Sequence, residues 1–267
     1  MSTPTVTILL PVYNAERFLK EAVDSLLAQT FTDFELLALN DGSTDGSEAI
    51  LKSYNDPRLR IVPNERNRGL IYTLNKGIDM AFGRYIARMD SDDVCRPGRL
   101  AAQVAYLDAH PGVAVVATTL DMINESGAPL PPWPDDRAYT TPEHIRECLL
   151  RTNCIAHPSV MARAEVLKQY KYQEDQKEAE DYDLWLRLVA DGKLVAKIDE
   201  PLLRYRYLDT GLTRKDRLSA FERLSRTKGK FLARRKQEGS MNAYCRRLQL
   251  QYYWDLARAR AKKILGR

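Results

Sequence analysis

Residues 84–100 read RYIARMDSDDVCRPGRL. An apolar run, Arg84 to Met89, ends abruptly in Asp90, Asp92 and Asp93, and a Pro97–Gly98 turn and a fresh helical pattern follow. The run has the length and composition of a buried strand. Three carboxylates at such a strand end repel one another unless a cation completes the place. Hard divalent ions want oxygen ligands, and Mg2+ or Mn2+ is often held by only one or two carboxylates plus substrate phosphates. An Asp-x-Asp at the C-terminal end of a strand does that job: one carboxylate meets the metal while its neighbour meets a nucleotide's ribose, and the metal neutralises a diphosphate leaving group. The bland alternative has Asp93 capping the helix near Pro97 and the other two acids in solvent, because short acidic patterns are common by chance.

Working outward, TVTILL (5–10) predicts a buried strand that ends at Pro11. Asn14 then caps a helix whose apolar positions Leu19, Ala22, Val23, Leu26 and Leu27 follow the helical period. FELLALN (34–40) predicts a second strand, DGSTDGS (41–47) a turn before a helix through Ala49 to Leu51, and LRIVPN (59–64) a third strand. Leu70 to Phe82 reads as a helix, which makes 84–89 the fourth strand. Strands alternating with helices predict right-handed βαβ units and an α/β fold with a doubly wound, mostly parallel central sheet flanked by helices. Ligands of such sheets bind beyond the carboxyl ends of the strands. The polar loops PVYN, NDGSTDGS, NERNRG and DSDD all fall at that edge. In the second half, VAVVATTL (113–120), IAHPSVMA (155–162), KLVAKID (193–199) and LLRYRY (202–207) read as strands. GAPLPPWPDD (127–136) is a Pro-rich loop, and EAEDYDLWLRLVADG (178–192) is an amphipathic helix with an acidic start and a Gly stop. From about Thr213 the chain reads as helical and basic.

The 267 residues suit one large α/β domain with an appendage. No apolar run is long enough for a transmembrane helix, and the N-terminus lacks the positive region of a secretory signal. Four cysteines without a CxxC pair and three histidines argue against structural zinc and for free thiols in a reducing cytoplasm. The formal net charge of +5 is uneven: residues 212–267 hold 17 Lys/Arg against 4 Asp/Glu, and the rest 24 against 32. An acidic body therefore carries a basic C-terminal extension. There is no GxxxxGK[ST] and no GxGxxG after the first strand, which disfavours a nucleotide-triphosphate hydrolase and a dinucleotide oxidoreductase.

Three long pieces, TILLPVYNAERFLKEAVDSLLAQTF (7–31), FELLALNDGSTDGS (34–47) and NRGLIYTLNKGIDMAFGRYIARMDSDD (67–93), together resemble a family-2 glycosyltransferase of the GT-A fold in order and spacing. AHPSVM (156–161) and EAEDYDLW (178–185) resemble that family's acceptor-side strand and its ED helix. The resemblance implies a catalytic domain over 1–211, with a nucleotide-binding half (1–100) and an acceptor-binding half (101–211), followed by the helical extension 212–267. It implies a nucleoside-diphosphate sugar donor, most often a UDP-sugar, a divalent metal (Mn2+ or Mg2+), and direct displacement with inversion at the anomeric carbon. By position, Pro11 and Tyr13 would border the nucleobase, Asp41 would accept a hydrogen bond from a uracil or thymine ring N–H, and Arg68 and Gly69 would line the base pocket. Asp90 would sit near the ribose with Ser91 beside it, Asp92 would ligate the metal, and Asp181 would be the catalytic base. Asp181 lies in the first helical turn, where the dipole favours the ionised form, so burial must offset that effect for it to act as a base.

Weaker expectations attach to other residues. His157 would meet the donor phosphates or the metal, or is a satisfied structural histidine. Glu180 would touch the acceptor and rivals Asp181 as base, whereas Asp183 reads as helix surface. Trp185, four residues after Asp181, is a sugar platform or core; Trp133 lines an acceptor loop or marks a turn. The basic helices, with Tyr244, Tyr252, Tyr253 and Trp254 interleaved, either dock on an anionic membrane surface or form a hairpin packed on the catalytic domain or on a second subunit. The expected acceptor is a glycan or a lipid-linked intermediate, in bacterial surface polysaccharide synthesis, on the cytoplasmic side and peripheral to the inner membrane face. The rival functions are a sugar-nucleotide nucleotidyltransferase, a nucleic-acid-binding protein using the basic segment, and a catalytically inactive glycan-binding relative.

Overall fold

The computed structural model describes residues 3–177, 179–208 and 220–264, with side chains to residue 261. The strands are β1 (Val6–Val12), β2 (Phe34–Asn40), β3 (Leu59–Pro63), β4 (Tyr85–Arg88), β5 (Val94–Cys95), β6 (Val113–Ile123), β7 (Met161–Arg163) and β8 (Leu194–Arg206). The helices are α1 (Glu16–Leu27), α2 (Ser47–Lys52), α3 (Leu70–Met80), α4 (Arg99–Ala109), α5 (Pro134–Ala138), α6 (Pro142–Cys148), α7 (Ala164–Tyr170), α8 (Glu180–Ala190), α9 (Ala220–Gln237) and α10 (Ala243–Ile264). One sheet runs in the order β3-β2-β1-β4-β7-β6-β8-β5. Its first half is parallel, as the βαβ pattern predicts. The second half is mixed: β7 is antiparallel to both β4 and β6, while β8 runs parallel to β6.

Period-two alternation explains why both faces are covered. Along β1, Val6, Ile8, Leu10 and Val12 pack with Leu19, Val23 and Leu26 of α1 and Leu100 of α4. Leu9, with Leu37 and Leu39 of β2, packs with Leu74 and Ile78 of α3 on the other face. Each such fully buried leucine contributes roughly 1.5–3 kcal/mol.

Four local expectations are corrected. Asn14 does not cap α1. It adopts a left-handed backbone (φ 49), and its Oδ1 accepts the Thr44 N–H at 2.8 Å, joining the first loop to the second. The start of α1 is instead satisfied across loops: Ser47 Oγ accepts from Ala15 N (2.9 Å) and Asp45 accepts from Glu16 N (3.0 Å). IAHPSVMA is not one strand. Pro158 lacks an N–H for a ladder, and the chain makes a 3-10 turn at His157–Ser159 before the short β7. KLVAKID and LLRYRY form one strand, β8, because register shifts at Thr118 and Thr119 of β6 fall where Pro201 interrupts the ladder. Asp183 is not helix surface: it is fully buried, paired with Arg187 Nε at 2.8 Å and with Arg234.

The expected end of the first unit, 211/212, and the start of the basic helix near Thr213 lie outside the described residues, as does Glu178. Beyond them, α9 and α10 form a hairpin that packs on α8. Phe231, Leu232, Tyr244, Cys245 and Leu248 share a core with Leu184, Leu186 and Leu188. Arg235 pairs with Asp191, and Arg247 pairs with Glu147 of α6 at 2.6 Å. The basic segment therefore forms a hairpin packed on the rest of the chain, and Tyr244 is buried rather than interfacial. No described helix is long and apolar enough to cross a membrane.

Candidate active site

The carboxyl ends of β1, β2 and β3 are level, with Val12 beside Asn40 and Asn40 beside Pro63. Their loops therefore leave the sheet together. Asp41 follows β2 directly and gathers the third loop: Oδ1 accepts from Asn64 Nδ2 (2.7 Å) and Arg68 N (2.8 Å), and Oδ2 from Gly69 N (2.8 Å). Gly42 has φ 69, and a Cβ there would stand 2.5 Å from the Arg66 carbonyl carbon, so only glycine lets the two loops touch. Gly69, with φ 87, turns the chain into α3. The Arg68 guanidinium lies 4.2 Å over the Tyr72 ring. Pro11 is buried at the end of β1, and Tyr13, just after it, is exposed. Thus Asp41, Arg68 and Gly69 are joined by hydrogen bonds, and Pro11 and Tyr13 stand at the same sheet edge.

The DSDD loop leaves β4 at that edge. Carboxylate oxygens of Asp90, Asp92 and Asp93 all lie within 4.8 Å of one another. The bland reading of Asp93 fails: α4 begins at Arg99 behind Gly98, while Asp93 is buried and accepts the Arg206 N–H at 2.8 Å. Arg206, the last residue of β8, also bonds the Asp92 carbonyl (2.8 Å) and Glu21 (2.5 Å). Asp90 is gripped by the buried Arg88 guanidinium, one bond measuring 2.7 Å. Burial first, then the Asp90 charge, pushes Asp92 up to about 6, and burial holds Asp93 well above the usual carboxylate range. One buried oxygen, Asp93 Oδ2, has no hydrogen-bond partner. A cluster of hard oxygen donors, short of positive charge and with an orphaned buried oxygen, fits a divalent cation.

A second carboxylate pair heads α8. The helix is entered through Ala179 in the left-handed region (φ 51), a strained conformation for a residue with a Cβ. Asp181 accepts from Asn153 Nδ2 (2.7 Å) and from Tyr182 N (2.7 Å). Burial raises its pKa, the offset that its first-turn position demands. Glu180 is raised by burial too, and its Oε1 lies 3.6 Å from His157 Nδ1. His157 Nε2 meets the Tyr172 hydroxyl at 2.7 Å. Burial, helped by the Arg88 charge, lowers His157 to about 3, so it is neutral. Trp185 is fully buried with its ring edge-on to His157. It is a core residue and offers no open platform to a sugar. Trp133 is half-buried before α5 and packs against the core on the α1 side of the sheet.

Arg88 links the two acidic clusters. It is bonded to Asp90; burial opposes its charge, but the charge of Asp90, then those of Tyr172 and Glu180, raise its pKa. Sequence reasoning missed Arg88, Asn153, Tyr172 and Arg206. A cation inside the apolar run RYIARM was a readable signal for the first. The others act over long sequence separations and leave no local pattern.

The family model described as Glycosyl transferase family 2 matches residues 7–171. A glycosyltransferase of Methanocaldococcus jannaschii is 33% identical over 210 residues, covering 77% of this chain and 72% of that protein. The O-antigen biosynthesis glycosyltransferase WbnJ of Escherichia coli is 31% identical over 235 residues, 86% of this chain and 90% of its own. Among solved structures, Staphylococcus aureus TarS 1–349 in complex with UDP-GlcNAc superposes with a TM-score of 0.69 at 21% identity, covering 86% of this chain and 66% of that one. The mannosyltransferase PcManGT from Pyrobaculum calidifontis, in complex with GDP-Man and Mn2+, gives a TM-score of 0.69 at 18% identity, with coverage of 98% and 74%. With the level strand ends, the acidic loop after β4 and the paired carboxylates heading α8, these matches establish that the chain belongs to glycosyltransferase family 2 and has the GT-A fold.

Proposed function

We propose that the protein is a metal-dependent, inverting glycosyltransferase that moves a hexosyl or N-acetylhexosaminyl unit from a nucleoside-diphosphate sugar to a hydroxyl group. Pro11, Tyr13, Asp41, Arg68 and Gly69 hold the nucleobase. Asp41 keeps a free lone pair on Oδ2 for a ring N–H, a donor that uracil and guanine both carry; the family resemblance favours uracil, hence a UDP-sugar. Asp90 and Ser91 face the ribose, and Asp92 is the principal ligand of Mn2+ or Mg2+. When bound, the ion neutralises the diphosphate. Asp181 removes the proton of the acceptor hydroxyl, whose oxygen bonds to the anomeric carbon from the face opposite the diphosphate. The bond from that carbon to the diphosphate oxygen breaks, and the nucleoside diphosphate leaves. Asn153 orients Asp181, and Glu180 and the neutral His157 line the sugar side.

The observation that carries this reading is the placement of Arg88, bonded to Asp90 of the acidic triad and under the charge of Glu180, the neighbour of the buried Asp181 at the start of α8. The names of relatives, O-antigen biosynthesis for one and teichuronic acid biosynthesis for another, support a polymer of the bacterial surface as the product. The acceptor is a growing glycan or a lipid-linked intermediate, met on the cytoplasmic side of the membrane. In this division, residues 1–100 serve the donor and 101–211 the acceptor.

Melting measured with UDP, dTDP, GDP and CDP, each with and without Mn2+, tests the donor. Ligand at about 100 times its dissociation constant adds roughly 2.7 kcal/mol. A shift with UDP that requires Mn2+ is expected. A shift with another nucleotide changes the donor, and no shift with any overturns the proposal.

A further inference from the structure

The hairpin uses only part of its basic surface for packing. On α10, Tyr244, Cys245 and Leu248 are buried, and Asp255 turns inward to Lys228 (3.1 Å) and Gln251 (2.8 Å). Asp255 is the only acid between 243 and 261. The outward residues repeat at three and four positions: Ala243, Arg246, Arg247, Leu250, Tyr253, Trp254, Ala257, Arg258 and Ala261 are all exposed. With roughly 3.6 residues per turn they form one stripe. Leu250, at 72% exposure, and Trp254, at 62%, run along its middle, and Tyr253 (58%) stands beside them. Arg246 and Arg260 flank one side, Arg247 and Arg258 the other.

We infer that this outward face of α10 docks on an anionic lipid bilayer. The inference stands on the helix and does not rest on the donor reading. An apolar centre of Leu and Trp, with Tyr at its margin and arginines on both rims, is what a helix lying in a headgroup region requires. The aromatic rings sit at the interface, and the guanidinium groups reach anionic headgroups on either side. The face carries no carboxylate of its own, so anionic lipid complements it along its whole length. Among the described residues, Glu147 of α6 is the acid bonded to this face, and it takes Arg247, so the rim arginines that face headgroups are Arg246, Arg258 and Arg260. A second copy laid face to face would set arginines against arginines. Nucleic acid would match the arginines but leave Leu250 and Trp254 against phosphates.

The test is sedimentation of the full chain with vesicles of phosphatidylglycerol mixed with phosphatidylcholine, beside vesicles of phosphatidylcholine alone. Binding to the anionic vesicles only, weakened by salt and accompanied by a blue shift of tryptophan emission, is expected. The double variant Leu250→Glu/Trp254→Glu should lower the bound fraction about tenfold or more, and Arg246→Glu/Arg258→Glu should do so comparably. Both should keep the parent melting temperature, because these side chains are exposed. Lys52→Glu, a charge reversal on α2, should leave binding intact. The inference is overturned if anionic vesicles are not bound, if both double variants bind as the parent does, or if Lys52→Glu weakens binding equally. It is also overturned if light scattering shows a dimer that Leu250→Glu/Trp254→Glu splits, or if a DNA duplex is bound in place of vesicles.

Discussion

The two halves of the site are finished to different degrees. At the ends of β1 to β3, polar groups answer one another: Asp41 takes three N–H donors, and Asn14 and Ser43 bond across neighbouring loops. Around β4 and α8, carboxylates are buried faster than they are paired. Asp92, Asp93, Glu180 and Asp181 are all raised by burial, and one oxygen of Asp93 has no partner. On the proposed reading, the first region is preorganised as a pocket for a neutral base. The second stores electrostatic stress that a cation and a reacting proton would relieve.

Substitutions can break this contrast, and the largest effect belongs to the stressed region. Asp181→Asn should lower kcat about 1,000-fold while leaving nucleotide affinity unchanged, read by steady-state kinetics beside donor titration. Transfer at the normal rate would move the base to Glu180. In the satisfied region, Gly42→Ala forces a Cβ to within 2.5 Å of Arg66 backbone at a positive φ. It should cost about 3 kcal/mol in urea unfolding and weaken nucleotide binding with it. An unchanged midpoint would mean that the loops are free to part.

Asp92→Asn sharpens the comparison through pH. The folded pKa of Asp92, about 6, lies above its ordinary value of 3.8. The folded state therefore holds the proton more tightly than the unfolded chain, and the metal-free protein loses stability as pH rises from about 4 to about 6. Above that window the parent carries the full penalty, and Asp92→Asn should be more stable by up to about 2 kcal/mol. Mn2+ should raise the melting temperature of the parent at pH 7, less so at pH 5, and that of the variant not at all. The smallest effect is at Ala179, whose left-handed backbone favours glycine. Ala179→Gly should stabilise by about 0.5 kcal/mol in unfolding titrations, the relief of strain outweighing the added freedom of the unfolded chain.

What the sequence disclosed follows the range of the interactions. The apolar, β-branched run TVTILL and the helical period of Leu19 to Leu26 are local patterns tied to burial, and they located β1 and α1, although β1 runs on through Pro11, its expected end, to Val12. The run ending in DSDD announced a site because charge at a buried strand end is itself anomalous. The misreadings arose where distant partners decide. Asn14 looks like a cap until Thr44 is beside it, and Asp183 looks solvated until α9 delivers Arg234. Pro201 divides β8 on paper, yet the bulges of β6 heal the ladder. Arg206 reaches the DSDD loop from 114 positions away, a distance no motif spans.

The Arg234–Asp183 pair has a consequence for anyone cutting or grafting this enzyme. The family match ends at residue 171, yet a fully buried charge on the helix that carries Asp181 is neutralised in part by a guanidinium from beyond residue 220. Removing one partner of a buried pair costs about 3–5 kcal/mol when nothing replaces it, and Arg187 would cover only a share. A fragment trimmed at residue 171 would lose α8 itself, and one cut before residue 220 would keep α8 without the Arg234 guanidinium behind Asp183. Chimeras between relatives should therefore exchange α8 and the C-terminal hairpin together, as one inherited module.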